Sequence, residues 1–335
     1  MPENSQIYNI FDSFKDLHIV IIGDVMIDKY VSGKITGNSP EADAGILRED
    51  RSWSNLGGAA NVAANIQALG ANPYLFSLIG KDRDAELFLD LMQDKHMNTS
   101  FIQKCSKRQT TSKTRFLDEG KQIFRLDNED CFDISKKQEE ILFRQLKWLI
   151  DQRKIDAILF QDYNKGILTK SLINRVIKLA KDAKIMLAVD PKVSNFYEYN
   201  DVDLFKPNRR ELEIAFGESI TNENLNEAIK NIQDKLKAKN MLVTLSEEGN
   251  MFSSETEYFH TPCIETTIKD VSGAGDSVFS IASLCLACGV DPEDLTMLSM
   301  LAGTQVCNKL GVSLLDKDKL IEDFLSIQNV KNYAG

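Results

Sequence analysis

The chain has 335 residues, 43% of them hydrophobic and 27% charged, which supplies both a buried core and a soluble surface. Fifty acidic against forty basic residues give a net charge of −10, which repels a polyanion at long range and argues against nucleic acid as the main partner. No stretch reaches the ~18 to 20 apolar residues of a membrane helix, and Met1 to Phe14 lacks a basic region followed by an apolar one, so a cytoplasmic protein with no membrane partner is expected.

In chain order the sequence reads as alternating strands and helices. His18 to Ile22 is a short apolar run ending in Gly23 and Asp24, the pattern of a buried parallel strand that delivers a carboxylate to the sheet's C-terminal edge, and Asp28 follows. From Lys29 to Asn55 the apolar period is lost among Gly33, Gly37, Pro40 and Gly45, which predicts a β-type excursion. Gly57, Gly58, Ala59, Ala60 and Asn61 then open a helix with Val62, Ala63, Ile66 and Leu69 at helical spacing and Gly70 at its end. Paired glycines there either let a ligand approach backbone N–H groups or let the helix pack tightly on the sheet. Pro73 to Ile79 reads as a strand and Asp82 to Lys95 as a helix.

A second excursion follows, with Thr111 to Leu117 and Gln122 to Leu126 flanking a hairpin turn at Asp118 to Lys121. Arg115 and Arg125 sit on its strands, where solvent exposure is the ordinary explanation and positive charge over a site is the functional one. Strands at Ala157 to Phe160, Ile185 to Val189, Leu204 to Lys206 and Met241 to Leu245 each end in a polar loop, the edge where open parallel sheets bind ligands. One main α/β domain over residues 1–335, with a small β lid from about 29–55 and 111–126, is expected. Cys285 and Cys288 form a C-x-x-C pair inside an apolar run, so buried free thiols are expected rather than a redox or zinc site.

The stretch Asp270, Val271, Ser272, Gly273, Ala274, Gly275, Asp276 carries the chemistry. A glycine turn opening a helix offers unpaired N–H groups and the positive end of a dipole to an anion. Asp276, in the first helical turn, is expected to stay ionised and to take a proton from an attacking hydroxyl, which suggests phosphoryl transfer. The bland alternative is a Gly-rich turn with an acidic residue stabilising an ordinary helix.

With Gly57-Gly58-Ala-Ala-Asn61 near its start and Asp270-Val-Ser-Gly-Ala-Gly-Asp276 near its end, the chain resembles the ribokinase-like (PfkB) carbohydrate kinases from about Leu17 to Ser313. It is most similar to the branch that phosphorylates heptose 7-phosphate at carbon 1 on the route to ADP-heptose and the lipopolysaccharide core. That likeness rests on Gly23-Asp-Val-Met-Ile-Asp28, Ser39-Pro-Glu-Ala42, Lys113-Thr-Arg115 with Gln122 and Arg125-Leu-Asp127, Asp162-Tyr-Asn-Lys-Gly166, Asp190-Pro-Lys192 and Lys309-Leu-Gly311. It departs where this branch continues Pro-Val-Pro-Val and this chain has Asp43, Ala44, Gly45 and Ile46. Bifunctional relatives carry a C-terminal nucleotidyltransferase domain; here the sequence given stops at Gly335, so adenylylation is expected to fall to another protein.

The resemblance implies a mostly parallel sheet with helices on both faces and a small lid, ATP as co-substrate and Mg²⁺ as cofactor. The β-type excursions make a small exposed sheet whose edges need a cover, so a homodimer formed through the lid is expected. It implies that Gly273, Ala274 and Gly275 hold the transferring phosphoryl and that Asp276 is the base. Asp24, Asp28, Gly57, Gly58 and Asn61 match sugar-side positions. Arg115, Arg125, Lys165 and Lys192 are candidates for the phosphates of a sugar phosphate or of the nucleotide, the first three set on the substrate side and Lys192 on the nucleotide side. Ser246 and Gly249 match the nucleotide loop. Asn208 and Glu211 match the magnesium and phosphate network, acting through waters because Mg²⁺ keeps much of its hydration shell; the same N-x-x-E spacing is also a capping box. The alternatives are a kinase for another sugar, sugar phosphate or nucleoside, and a non-enzymatic sugar or nucleotide sensor.

Overall fold

A computed structural model describes residues 4–264 and 266–334, with side chains for 6–264 and 266–329. Helix α1 (Asn4–Ser13) leads into β1 (His18–Gly23), after which the chain leaves the main sheet for two long strands, β2 (Val25–Asn38) and β3 (Gly45–Gly58). It returns through α2 (Ala59–Ala68), β4 (Asn72–Ile79), α3 (Arg83–Asp94) and β5 (Ile102–Lys104), leaves again for β6 (Ser112–Asp118) and β7 (Lys121–Asn128), and comes back in α4 (Lys136–Gln152). Then follow β8 (Ala157–Gln161), α5 (Lys170–Ala183), β9 (Met186–Asp190), β10 (Leu204–Phe205), α6 (Arg209–Phe216), α7 (Leu225–Leu236) and β11 (Asn240–Thr244). Strands β12 (Asn250–Ser253) and β13 (Tyr258–Thr261) and helices α8 (Ala274–Ala287), α9 (Pro292–Cys307) and α10 (Lys317–Ala334) complete the chain.

The main sheet has the order β13-β12-β11-β10-β9-β8-β1-β4-β5. It is parallel from β5 to β11, and β12 and β13 add an antiparallel edge. Because side chains alternate along a strand, β1 sends Ile19 and Ile21 to one face, into a core with α2, α8 and α9, and Val20 and Ile22 to the other, into a core with α4, α5 and α7. Both faces are thus covered, which is why the parallel strands read as unbroken apolar runs. Gly23, Gln161 and Asp190 lie side by side in register at the C-terminal edge, and Lys206 follows the end of β10 beside them. A Cβ on Gly23 would stand 2.0 Å from the Gln161 carbonyl oxygen, so this close crossing needs glycine.

The two excursions form one separate four-stranded sheet of order β3-β2-β6-β7, in which β2 pairs parallel to β6 and the other neighbours are antiparallel. The β6–β7 turn places Glu119 at φ 48 and Gly120 at φ 86, the double left-handed conformation of a type I′ hairpin. This sheet reaches further inward than the sequence pattern suggests: it pairs Val25 with Gly58, so it begins beside β1 and ends where α2 starts. Its outer strand leaves Ile123, Phe124 and Leu126 exposed, Phe124 by 60%.

Candidate active site

Helix α8 begins where the glycine turn predicts, with Gly273 as N-cap at φ 81 and an added Cβ only 2.9 Å from Asn61 Nδ2. Asp270 sets the turn: its Oδ1 accepts from Ser272 N–H (2.9 Å) and its Oδ2 from Gly311 N–H (3.0 Å). Of the three residues expected to hold a phosphoryl group, Ala274 already donates its N–H to Val271 O at 3.2 Å, which leaves the glycines on either side of it for that task. Asp276 is 3% exposed and is held by Asn61 Nδ2 (2.8 Å), the Tyr163 hydroxyl (2.7 Å) and Gln161 Nε2 (3.1 Å).

Burial pushes the Asp276 carboxyl up to about 7, against the lowering effect of the hydrogen bonds from Asn61 and Tyr163; Asp190 raises it further and Lys206 lowers it. The sequence reading expected a helix start to keep this group ionised. Desolvation outweighs that effect here, and the result is a carboxyl poised near neutrality, where a general base works best.

On the lid side, Asp28 occupies the space that a Gly57 side chain would fill, its Oδ2 only 2.1 Å from the position of an added Cβ. Arg115, on β6, forms an ion pair with Asp28 and lies 5.3 Å from the Tyr30 ring, so it is a buried partner rather than an exposed cation. Gly58 adopts φ 59, and an added Cβ would come within 2.4 Å of the Asp24 carbonyl oxygen.

Asp24 was expected among the sugar-side groups, but its side chain is turned elsewhere. It is 1% exposed, its Oδ2 accepts from Tyr163 N–H (2.9 Å) and Lys165 N–H (3.1 Å), and its Oδ1 accepts from Ile167 N–H (3.1 Å). Burial and the neighbouring Asp162 push it up to about 6, and the three backbone bonds oppose them. Asp24 therefore shapes the loop after β8, and Asp28 is the carboxylate of this pair placed against the glycine pair.

The cations expected to meet a phosphate are each ion-paired. Lys165 Nζ lies 2.6 Å from Glu129, Arg125 binds Asp127, and Lys113, which was not singled out as a site residue, bridges Asp127 (2.8 Å) and Glu129 (3.0 Å). Arg115 and Arg125 face each other across the β6–β7 register. Four basic and three acidic side chains, counting Asp28, thus meet along the lid and the loop after β8.

Beyond Asp276 lies a cavity of about 490 Å³ whose lining includes Lys192, Asn208, Ser246, Gly249 and Gly275, bringing together the residues expected on the nucleotide side. Gly273, expected with Gly275 to hold the transferring phosphoryl, is not part of that lining. Gly249 has φ 90, and a Cβ there would meet the Thr261 carbonyl oxygen at 2.1 Å. Asn208 and Glu211 form a capping box on α6, with Asn208 N–H to Glu211 Oε2 and Glu211 N–H to Asn208 Oδ1 both at 2.9 Å. The other Glu211 oxygen pairs with Lys192.

Sequence reasoning missed Lys206, Asp190, Gln161 and Tyr163 as site residues. Lys206 is 2% exposed, with Nζ 3.1 Å from Asp190 Oδ1 and 3.7 Å from where a Gly275 Cβ would stand, so it lies beside the glycine turn that opens α8. The available signal was their common place at strand ends, on one edge of the sheet.

A glycine-capped helix start, a buried carboxyl and a lysine beside them, at the C-terminal edge of a parallel sheet with a lid, define a sugar kinase. Residues 16–319 match the pfkB family carbohydrate kinases, and the chain belongs to that family; it is a phosphotransferase acting on a sugar hydroxyl. It is 34% identical over 322 residues to the "Bifunctional protein HldE" of Syntrophotalea carbinolica, covering 96% of this chain and 65% of that protein. It is 33% identical over 344 residues to the protein of that name from Geobacter metallireducens, covering 99% of this chain and 70% of that protein. The chain thus spans about two thirds of these relatives' length.

Two solved structures share the fold. Phosphofructokinase-2 from Escherichia coli, in complex with substrates and products, superposes with a TM-score of 0.78 at 18% identity, covering 93% of this chain and 99% of that one. Arabidopsis thaliana ribokinase, complexed with ribose and ATP, superposes with a TM-score of 0.70 at 18% identity, covering 92% and 98%.

Proposed function

We propose that the chain transfers the γ-phosphoryl group of ATP to the C1 hydroxyl of D-glycero-D-manno-heptose 7-phosphate, a step toward ADP-heptose and the lipopolysaccharide core. The observation that carries the reading is the position of Asp276, buried between the cavity bearing Lys192, Asn208, Ser246 and Gly249 and the Gly57-Gly58-Asn61 side facing the lid. Phosphoryl transfer asks a protein for alignment and charge neutralisation. Asp276 takes the proton of the acceptor hydroxyl, the N–H groups of Gly273 and Gly275 face the transferring group, and Lys206 and Lys192 balance its charge. Asp28 and Asn61 hydrogen-bond the sugar hydroxyls. The heptose 7-phosphate acceptor is supported by the quoted motifs, by relatives named HldE and by the cations Lys113, Arg115, Arg125 and Lys165 around the lid.

Magnesium fits this arrangement through its waters. Both Glu211 oxygens are already engaged, and no cluster of three or more His, Cys, Asp or Glu able to hold a metal occurs among the described residues. When bound, the ion would supply charge neutralisation to the nucleotide phosphates, and Glu211 and Asp190 would hold it through water. We assign residues 1–335 to one kinase domain with the β2, β3, β6 and β7 sheet as lid, and the exposed Ile123, Phe124 and Leu126 to contact with a second copy of the lid. The departure at Asp43 to Ile46 favours, as the second reading, the same transfer to a different sugar, sugar phosphate or nucleoside.

The test is ATP consumption against a panel of acceptors with and without phosphate, repeated with Asp276→Asn. Heptose 7-phosphate is expected to give the highest kcat/KM, and the variant to lose roughly 10² to 10⁴ in kcat, the share of a general base. A variant within about threefold of the parent, under ~0.7 kcal/mol of barrier, would remove Asp276 from the reaction.

A further inference from the structure

The two oxygens of Asp276 are unequally engaged. A carboxylate oxygen offers about two acceptor sites. Oδ1 has both filled, by the Tyr163 hydroxyl at 2.7 Å and Gln161 Nε2 at 3.1 Å, whereas Oδ2 accepts one bond, from Asn61 Nδ2 at 2.8 Å. Asn61 is also the residue that a Gly273 side chain would strike, so Oδ2 lies toward the phosphoryl turn and the Gly57-Gly58 side.

Tyr163 is itself held from two directions and lines the large cavity. Its backbone N–H donates to Asp24 Oδ2, and Lys192 Nζ stands 5.4 Å from the ring centroid. Burial and the adjacent Asp276 hold its phenol well above the usual range, so it remains a donor. Gln161 is fixed by its second bond, from Nε2 to Asp190 Oδ2 at 3.1 Å. The charged groups around Asp276 are Asp190 from β9, Lys206 after β10, and Lys192.

We propose that Tyr163 is a positioning residue for the base: together with Gln161 it fills Oδ1 of Asp276 and reserves Oδ2, on the Asn61 side, for the proton of the acceptor hydroxyl. This rests on the reading of Asp276 as the base. In the step, the acceptor O–H bond breaks and its proton goes to Oδ2. The acceptor oxygen forms the new bond to the γ-phosphorus, and the bond from that phosphorus to the bridging oxygen breaks, releasing ADP. A tyrosine that holds only Oδ1 also sets how readily the carboxyl ionises, because it donates to the charged form and loses most of that bond when the group is protonated.

The experiment is a carbon-13 NMR titration of aspartate side-chain carboxyls in the ligand-free full chain, for the parent and Tyr163→Phe, with Asp276→Asn identifying the signal. The variant keeps the ring and the backbone bond to Asp24. Loss of one charge-assisted hydrogen bond is expected to raise the Asp276 midpoint by about one pH unit, ~1.4 kcal/mol. The acid limb of kcat/KM, measured with ATP and heptose 7-phosphate, is expected to move up by the same amount, with kcat on the plateau falling about tenfold. Gln161→Met removes the other Oδ1 donor and should move the midpoint in the same direction, which keeps the test decisive if the tyrosine variant fails to fold.

An unmoved midpoint, or opposite shifts in the two variants, overturns the proposal. So does a moved midpoint with an unmoved acid limb. If the midpoint and the acid limb move as expected with another acceptor and the parent transfers no phosphate to heptose 7-phosphate, Tyr163's hold on Asp276 stands and it is the heptose reading that falls.

Discussion

Asp276→Asn makes a prediction about stability that is separate from its effect on turnover. In the folded chain burial raises this carboxyl to about 7, whereas in the unfolded chain it titrates near the ordinary ~3.9. A group whose folded value lies above its unfolded value contributes stability that is complete below the lower value and is lost as pH rises through the upper one. At ~1.36 kcal/mol per pKa unit, the parent gives up on the order of 4 kcal/mol between about pH 4 and pH 7 through this one side chain, and nothing more above that window. Asparagine has the same shape and no charge to desolvate, so the loss disappears. It does sacrifice one bond: an amide nitrogen at the Oδ2 position meets the Asn61 amide nitrogen, donor to donor, at a pH-independent cost of roughly 1 to 3 kcal/mol.

The difference between variant and parent is therefore expected to grow by about 3 kcal/mol in the variant's favour from pH 5 to pH 8, whatever its offset. Other titrating groups such as Asp24 act on both proteins and cancel. The assay is urea unfolding of both, without ligands, at half-unit pH steps, comparing midpoints at equal slope. A difference that stays constant within ~0.5 kcal/mol from pH 5 to pH 8 would refute the reasoning, because Asp276 would then be ionised throughout and the helix start would have outweighed burial.

Arg115→Ala should lower stability by roughly 3 kcal/mol in the same assay, because it strands the buried Asp28 carboxylate, and it should raise KM for a phosphorylated acceptor more than tenfold beyond any rise for an unphosphorylated one; equal rises would make the arginine purely structural. Gly57→Ala puts a methyl where Asp28 Oδ2 stands, so acceptor KM should rise at least tenfold while ATP KM stays within about twofold, and an unchanged acceptor KM would take Asp28 out of the sugar site. Phe124→Glu should turn a lid-paired dimer into a monomer in sedimentation velocity; a parent already monomeric at high concentration would remove the pairing.

Much of the main sheet was readable because a strand buried on both faces must be apolar throughout, as Ile19 to Ile22 and Ala157 to Phe160 are. The turn at Gly273 was readable because glycine is the residue that takes φ 81 against Asn61 without strain. Helix α4 was not assigned, although Ser135 and Gln138 spell out its capping box. Tyr163, Gln161, Asp190 and Lys206 escaped for a different reason. They converge because β8, β9 and β10 are neighbours in the sheet, and that adjacency is a fact of topology rather than of spacing along the chain. The charge state of Asp276 and the pairing of Arg115 with Asp28 share this origin: sequence displays the helix dipole and the cation, but not the desolvation around one or the partner of the other.

Strand β3 runs from the outer tip of the lid to Gly58 as one 14-residue element, so the glycine pair is the inner end of a beam about 45 Å long. Leverage works in both directions along such a beam. Ten degrees of rotation at Gly58 sweeps the tip through about 8 Å, and conversely a tip held to within 1 Å leaves about one degree of play at the glycines, which moves the neighbouring Asn61 by less than a bond's tolerance. The register shift that leaves Asp50 of β3 unpaired against β2 interrupts this beam, so a clamp at the far end, such as the proposed contact with a second copy of the lid, would limit the play at the glycine pair only as far as that shift holds its shape.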